Sequence, residues 1–367
     1  MSSADPASIL ALVAGGGFAL AFVFGWVAAK TNFCTMGALS DAFNIGDWAR
    51  LRMWLLAIAV AMAGAWILQS AGLVDLDQSV YRSTRLTWLS HLAGGALFGF
   101  GMVLGSGCGS KTLIRIGSGN LKSLVVAVFL ALSADMTLRG VLATLRVAGL
   151  DRVAVDLGTP QDLPHLLSRA LGADAGVLSA ACALTLAAVL LVAVLARPEG
   201  RRSDVLTGGI TVGLVVAGGW YLTGHLGYVA EHPDTLQPAW IGTNTGRPES
   251  LTFVGPQAFT LELLLFWTDK SKVVTFGVAS VAGVIGGSFA QALFSRSFRL
   301  ESFRSPEDFL HHIAGGLLMG FGGVTALGCT IGQGITGLST LAAGSFITFG
   351  AIVAGAAAGF RYLSWRA

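Results

Sequence analysis

His91-Leu92-Ala93-Gly94-Gly95 recurs as His312-Ile313-Ala314-Gly315-Gly316, and the register then holds without a gap to Gly107-Cys108 and Gly328-Cys329. Eleven of the eighteen aligned positions are identical. Self-similarity of this kind means that the chain is built from two related halves. Each copy carries glycines four residues apart, Gly95 and Gly99 in one, Gly316 and Gly320 in the other. On a helix such a pair leaves a flat stripe that lets another backbone come close. Each copy then runs into a Gly-Cys pair, where the helical pattern breaks.

The solvent for this repeat is lipid. Charged residues make up only 12% of the 367 positions and hydrophobic ones 54%. A water-soluble domain carries about 25% charged residues, so this chain cannot cover a water-facing surface. Apolar runs of spanning length fall near 9–29, 52–72, 88–105, 121–139, 174–196, 204–223, 272–294, 309–327 and 342–364. The expected fold is therefore all-α and integral to the membrane, with about nine transmembrane helices. One membrane domain covers 1–367, with repeat one near 9–139, a linker and connecting span near 140–200, and repeat two near 204–364. Two further apolar, glycine-rich stretches, about 106–120 and 328–341, are too short to span and read as re-entrant helices. Interrupted segments at matching places in two halves point to a transporter's central site, and the span count permits the halves to be inverted.

The remaining polar features are peripheral. Met1–Ser8 lacks the basic region of a secretory signal. Lys30, Arg50 and Arg52, with the run Arg197-Pro198-Glu199-Gly200-Arg201-Arg202, put those loops on the cytoplasmic side, the N-terminus outside and the C-terminus inside. Thr159-Pro160 suggests a helix start, with an amphipathic surface helix near 163–171, and 224–253 reads as an external loop. Asp135 and Arg139 are spaced to pair on one helix face. Glu262 has no evident partner, and His91 and His312 sit at the starts of their spans. A net charge of +3 gives no case for a nucleic-acid partner. No motif asks for a cofactor or a resident metal, and none supports ATP-driven pumping or hydrolysis.

Three of the four cysteines lie beside helix breaks: Cys34 in Asn32-Phe33-Cys34-Thr35-Met36-Gly37, Cys108 in Gly107-Cys108-Gly109-Ser110-Lys111, and Cys329 in Gly328-Cys329-Thr330. Cys182 lies in a plain apolar span and reads as packing. A neutral thiol is a soft, weak donor. It can meet a sulfur-bearing anion without adding like charge, while helix N-termini supply positive partial charge. Lys111 and Arg115 are placed to add full charge near Cys108. The binding candidates are thus Cys34, Cys108, Cys329, Lys111, Gly107, Gly109, Gly328 and Thr330.

These motifs resemble a known family. Phe33-Cys34-Thr35-Met36-Gly37-Ala38, Gly105-Ser106-Gly107-Cys108 and Leu327-Gly328-Cys329-Thr330-Ile331-Gly332-Gln333-Gly334 are similar to the three cysteine motifs of the YeeE/YedE family. Ser250–Pro256 is similar to the second-half counterpart of the first motif, with Gly255 expected where Cys34 would fall. The resemblance implies a transporter rather than an enzyme. It implies an hourglass-like bundle of inverted halves in the bacterial inner membrane that takes up thiosulfate. Cys34, Cys108 and Cys329 would pass the ion between them by S–H···S contacts, and a TusA-like sulfur carrier would be the cytoplasmic partner. From the residues alone, other cargos stay open: sulfide, a selenium oxyanion or a soft metal ion, the last kept in view by Met36, Met102 and Met319. A membrane sulfur relay through a cysteine persulfide also stays open, although no activating base lies beside the thiols in sequence.

Overall fold

The computed structural model describes residues 5–233, 235–303 and 305–366; of Met1–Ser8, residues 1–4 lie outside them. The chain is all-α apart from two two-residue strand pairs, Arg85–Leu86 with Val155–Asp156 and Tyr228–Val229 with Ala239–Trp240. The helices are α1 (Pro6–Lys30), α2 (Thr35–Ser40), α3 (Ala49–Ser70), α4 (Trp88–Leu104), α5 (Gly109–Gly117), α6 (Leu121–Leu138) and α7 (Val141–Ala148). They continue as α8 (Leu163–Leu171), α9 (Ala175–Leu195), α10 (Ser203–Tyr221), α11 (Gly255–Leu265), α12 (Phe276–Phe294), α13 (Pro306–Thr325) and α14 (Ala343–Arg366).

Local chemistry sets where these helices start. Asp5 caps α1 with Pro6 in its first turn, Asp174 caps α9, Thr275 caps α12, and Ser305-Pro306-Glu307-Asp308 opens α13. Among the described residues eight helices are long and apolar enough to cross a bilayer, one fewer than the nine runs in the sequence. The missing one is α13, whose early turns carry Glu307, Asp308, His311 and His312. That polar start is neutralised by neighbours: Lys122 Nζ lies 2.6 Å from Asp308 and Arg366 Nη2 lies 2.9 Å from Glu307.

Glycine sets the packing. A Cβ on Gly94 would lie 2.7 Å from the Gly322 carbonyl oxygen, and one on Gly101 would lie 2.9 Å from that of Gly315. As residue number rises along α4 it falls along α13, so the two repeated helices pack antiparallel. The contact Gly94–Gly322 becomes Gly315–Gly101 when the copies are exchanged. The stripe Gly95/Gly99 faces α14, and its counterpart Gly316/Gly320 faces α6. Likewise α1 packs on α12 as α10 packs on α3. Each half therefore buries its helices against the other half.

Several polar expectations are corrected. Arg139 pairs with Glu262 rather than Asp135, and Lys272 Nζ also lies 2.6 Å from that carboxylate, so Glu262 is doubly partnered. A residue on another helix offered Arg139 a shorter path than its own neighbour one turn back. The surface helix is present as α8, but Asp162 is its cap and Pro164 lies in its first turn, not Thr159 and Pro160. His91 is buried, with Nδ1 2.7 Å from Thr348 Oγ1, and His312 Nδ1 lies 2.7 Å from the Asp308 carbonyl.

Close backbone packing makes a sharp prediction. A Cβ on Gly99 would lie 2.1 Å from the Ile352 carbonyl oxygen, whereas Gly350 has open space around it. Gly99→Val is expected to cost about 1–3 kcal/mol of stability through overpacking. Gly350→Ala should be neutral. Thermal unfolding of both variants in detergent checks this; equal melting would refute the packing account.

Candidate functional site

Three helix ends are built alike. In each, a non-glycine residue adopts the left-handed conformation: Asn32 (φ +54°), Ser106 (φ +56°) and Leu327 (φ +60°). The next amide closes back over the helix end, Phe33 to Ala28 at 3.0 Å, Gly107 to Met102 at 2.9 Å and Gly328 to Gly323 at 2.8 Å. This six-to-one bond is the Schellman stop. The residue after it is in each case the cysteine, and a new helix starts there. Arg115 Nη1 donates to the Ser106 carbonyl at 2.9 Å, so it secures the Cys108 turn.

Each cysteine then sits at the cap position of the new helix. The Cys34 and Cys329 sulfurs accept from the amides of Gly37 and Gly332, both at 3.4 Å, whereas Cys108 makes no such bond and its thiol lies instead against Ser110. The Cys34, Cys108 and Cys329 carbonyls start the new helices by accepting from Ala38, Thr112 and Gln333 at 2.9, 2.9 and 2.8 Å. Serine, threonine and aspartate usually fill this position; here a thiol does. The helix after Cys108 is α5, and the one after Cys329 spans 330–339 with a wide π turn at Gly332–Gly337. Three helix N-termini, each with unpaired amides and positive partial charge, thus point toward sulfur.

The thiols form one cluster and are all buried. Cys34 and Cys108 are neighbours, with no hydrogen bond of standard geometry between them among the described residues. Thr330 Oγ1 has no hydrogen bond of standard geometry among the described residues, yet its hydroxyl lies against the Cys108 thiol, and Ser110 Oγ is 3.3 Å from it. Cys329 Sγ lies 3.9 Å from Thr252 Oγ1. Lys111 lies in the first turn of α5, just after Cys108. Gly107, Gly109 and Gly328 are backbone positions of the turns: a Cβ on Gly328 would lie 3.2 Å from Gln333, one on Gly107 3.3 Å from Lys111, and one on Gly109 3.5 Å from Gln257. Cys182 is apart from this group on α9.

The second-half counterpart of the Cys34 turn is corrected by one residue. Val254, not Gly255, precedes the first helical residue of α11. Phe253 then matches Phe33, and both rings pack on Phe24, with centroids 5.4 and 6.4 Å away. Gln257 of α11 donates to the Phe253 carbonyl and, at 3.5 Å, to that of Gly109, so this turn braces the Cys108 helix.

A cavity approaches the cluster from each side. One, of about 160 Å³, is lined by Tyr81, Asn244, Glu249 and Thr252 and reaches Gly328. The other, of about 450 Å³, is lined by Asn32, Asp41, Asp47, Arg50, Arg202 and Asp204, next to the Cys34 turn. Residues 30–358 match the sulphur transport family. The chain belongs to that family. It is 26% identical over 332 residues to the thiosulfate transporter TsuA of Escherichia coli strain K12, covering 85% of this chain and 84% of that protein. It is 25% identical over 343 residues to the thiosulfate transporter TsuA of Spirochaeta thermophila, covering 90% and 93%. This member of the sulphur transport family is a multi-pass membrane protein and a transporter.

The cluster geometry is testable without any substrate. A Cys182→Ala/Cys329→Ala variant keeps Cys34 and Cys108 as the remaining thiols. It should bind one mercuric ion per chain with a thiolate-to-metal absorption band, and adding Cys108→Ser should abolish the band. No band with both thiols present would place them too far apart.

Proposed function

We propose that the protein carries thiosulfate through the membrane along Cys329, Cys108 and Cys34, the observation behind this being three helix starts, each with a buried cysteine at its cap position, that converge between two cavities. The contacts run in that order: the Tyr81/Glu249 cavity leads to Thr252 and Cys329, Thr330 links to Cys108, Cys108 meets Cys34, and the Arg50 cavity comes last. The names of the two relatives supply the cargo. The halves, near 9–139 and 204–364, are inverted repeats joined by 140–200, which is the reading that the antiparallel α4–α13 contact supports. Their interrupted helices meet to form the waist of an hourglass.

The chemistry comes from the parts. Thiosulfate is a dianion with a soft terminal sulfur. Helix N-termini offset its charge with amides and dipoles. Neutral thiols offer S–H donors that are weak enough to release it, and passage needs binding that is favourable but not tight. Lys111 gives one full charge, less than the ion carries, so the ion is attracted without being trapped. No bond to sulfur is made or broken, which separates this reading from a persulfide relay. The side of the Arg50 cavity, where the loops carrying Lys30, Arg52 and Arg197–Arg202 lie, is the cytoplasmic face of a bacterial inner membrane, where a TusA-like carrier would receive the cargo.

Thiosulfate-dependent growth of a sulfur auxotroph and uptake of labelled thiosulfate into vesicles measure this directly. Cys108→Ala and Cys329→Ala should each lower uptake at least tenfold at normal expression, and Lys111→Gln should raise the half-saturating concentration. Full uptake in the double cysteine variant would refute the path. Alkylation should block uptake, and thiosulfate should protect Cys34, Cys108 and Cys329 from the reagent. Persulfide mass on a cysteine during turnover would favour the relay instead.

A further inference from the structure

The cavity that ends at Thr252 and Gly328 contains an acid where an anion must pass. Glu249 is the one carboxylate among the described residues that line it. Its oxygens accept from the Asn244 amide at 3.3 Å and from Thr245 Oγ1 at 3.2 Å, and its own amide donates to Thr223 Oγ1 at 3.0 Å. These bonds hold the side chain in the wall. Among the described residues no Lys, Arg or His forms an ion pair with it.

The groups that face Glu249 are uncharged. From residues 80–82 comes the Tyr81 phenol, which burial pushes well above the usual tyrosine range, so it stays neutral. Thr223, at the end of α10, offers a hydroxyl, and the cavity wall adds Pro256 and Phe259 of α11 and Phe276 of α12. On its own loop Arg247 is exposed and engages Thr245 through its carbonyl. Cys329 lies beyond Thr252 at the inner end. Burial without a cation pushes the Glu249 carboxyl up to about 7.

We propose that Glu249 is a proton-binding residue on the route of the anion: the vestibule admits thiosulfate when this carboxyl is neutral and repels it when it is ionised. The inference rests on the proposed thiosulfate transport. It makes the proton a second ligand of the transporter. The sign is fixed by the acid: neutral below about pH 7, charged above it. Thiosulfate itself remains a dianion throughout this range, so a pH effect belongs to the protein.

Initial uptake of labelled thiosulfate is measured in right-side-out vesicles carrying the full-length protein at external pH 6 and pH 8. For one carboxyl titrating near neutrality, wild-type uptake should be roughly 5–10-fold faster at pH 6. Glu249→Gln keeps the acceptor oxygen and should be fast at both pH values, while Glu249→Asp should keep a pH dependence. A wild-type profile in Glu249→Gln, or equal loss at both pH values, overturns the inference and leaves thiosulfate transport standing. No thiosulfate uptake by the wild type at either pH overturns both. Infrared difference spectra between the two pH values test the protonation itself. A carboxylic C=O band should disappear on going to pH 8 and be missing from Glu249→Gln; its absence from the wild type also overturns the inference.

Discussion

Everything at the centre depends on how closely two glycine-lined helices approach. The α4–α13 contact brings the Gly94 and Gly322 backbones together, leaving no room for a Cβ. Lipid gives no hydrophobic drive for such a contact, so dispersion and backbone complementarity must supply it. The contact also dictates how the two helices end. Both helices stop inside the protein, at turns whose cysteines, Cys108 and Cys329, are fully buried. The Schellman turns at Ser106 and Leu327 satisfy the freed carbonyls, and the Cys329 sulfur takes one of the freed amides. Non-helical backbone at membrane depth is tolerated only when it is satisfied in this way or lines a cavity.

Thiols at cap positions are unusual, and the reason lies in what a cap must do here. A serine or aspartate would satisfy the same amide more strongly. Aspartate would also bring a negative charge to a place meant for an anion. Sulfur holds the helix start loosely at 3.4 Å. The amides therefore stay available to a passing ligand, and the thiol hydrogen stays free to donate. On the proposed path the cap and the binding group at Cys34 and Cys329 are the same atom, so structure and transit compete for it.

Much of this architecture is legible in the sequence. The repeat, the two Gly-Cys breaks, the short re-entrant segments and the Cys34 loop all carry local signatures: glycine spacing, run length and motif identity. What is not legible depends on partners far along the chain. Arg139 finds Glu262 across 123 residues, and its nearer neighbour Asp135 loses the competition. Thr159 reads as a cap, but the tie of Leu163 to the Leu341 carbonyl and of Ala343 to the Gln161 carbonyl moves the start of α8 to Asp162. Val254 is easily passed over because glycine at 255 is the natural place for a missing side chain. Matching Phe33 with Phe253 recovers the register, and that pair of aromatics is present in the sequence. Thr252 and Glu249 lie in a stretch that reads as external, whose fold over the cavity no periodicity announces.

Val254 also breaks the chemical symmetry of an otherwise two-fold core. A fourth thiol would give each half the same pair of sulfurs and the same affinity on either side of the waist. With valine there, the Cys329 side meets a hydroxyl from Thr252 and the Glu249 carboxyl, and the Cys34 side meets Lys111 and the Arg50 cavity. On the proposed path, Lys111 accordingly makes the Cys34 side more favourable for the anion than the Cys329 side, while the Arg50 cavity, with Asp41, Asp47 and Asp204 against Arg50 and Arg202, adds no net positive charge. Such a gradient of affinity cannot drive net flux, since a fixed protein field returns on exit what it gave on the way in. It sets where the ion waits. On the proposed path it waits near Lys111 and Cys34, at the side where a carrier would take it over.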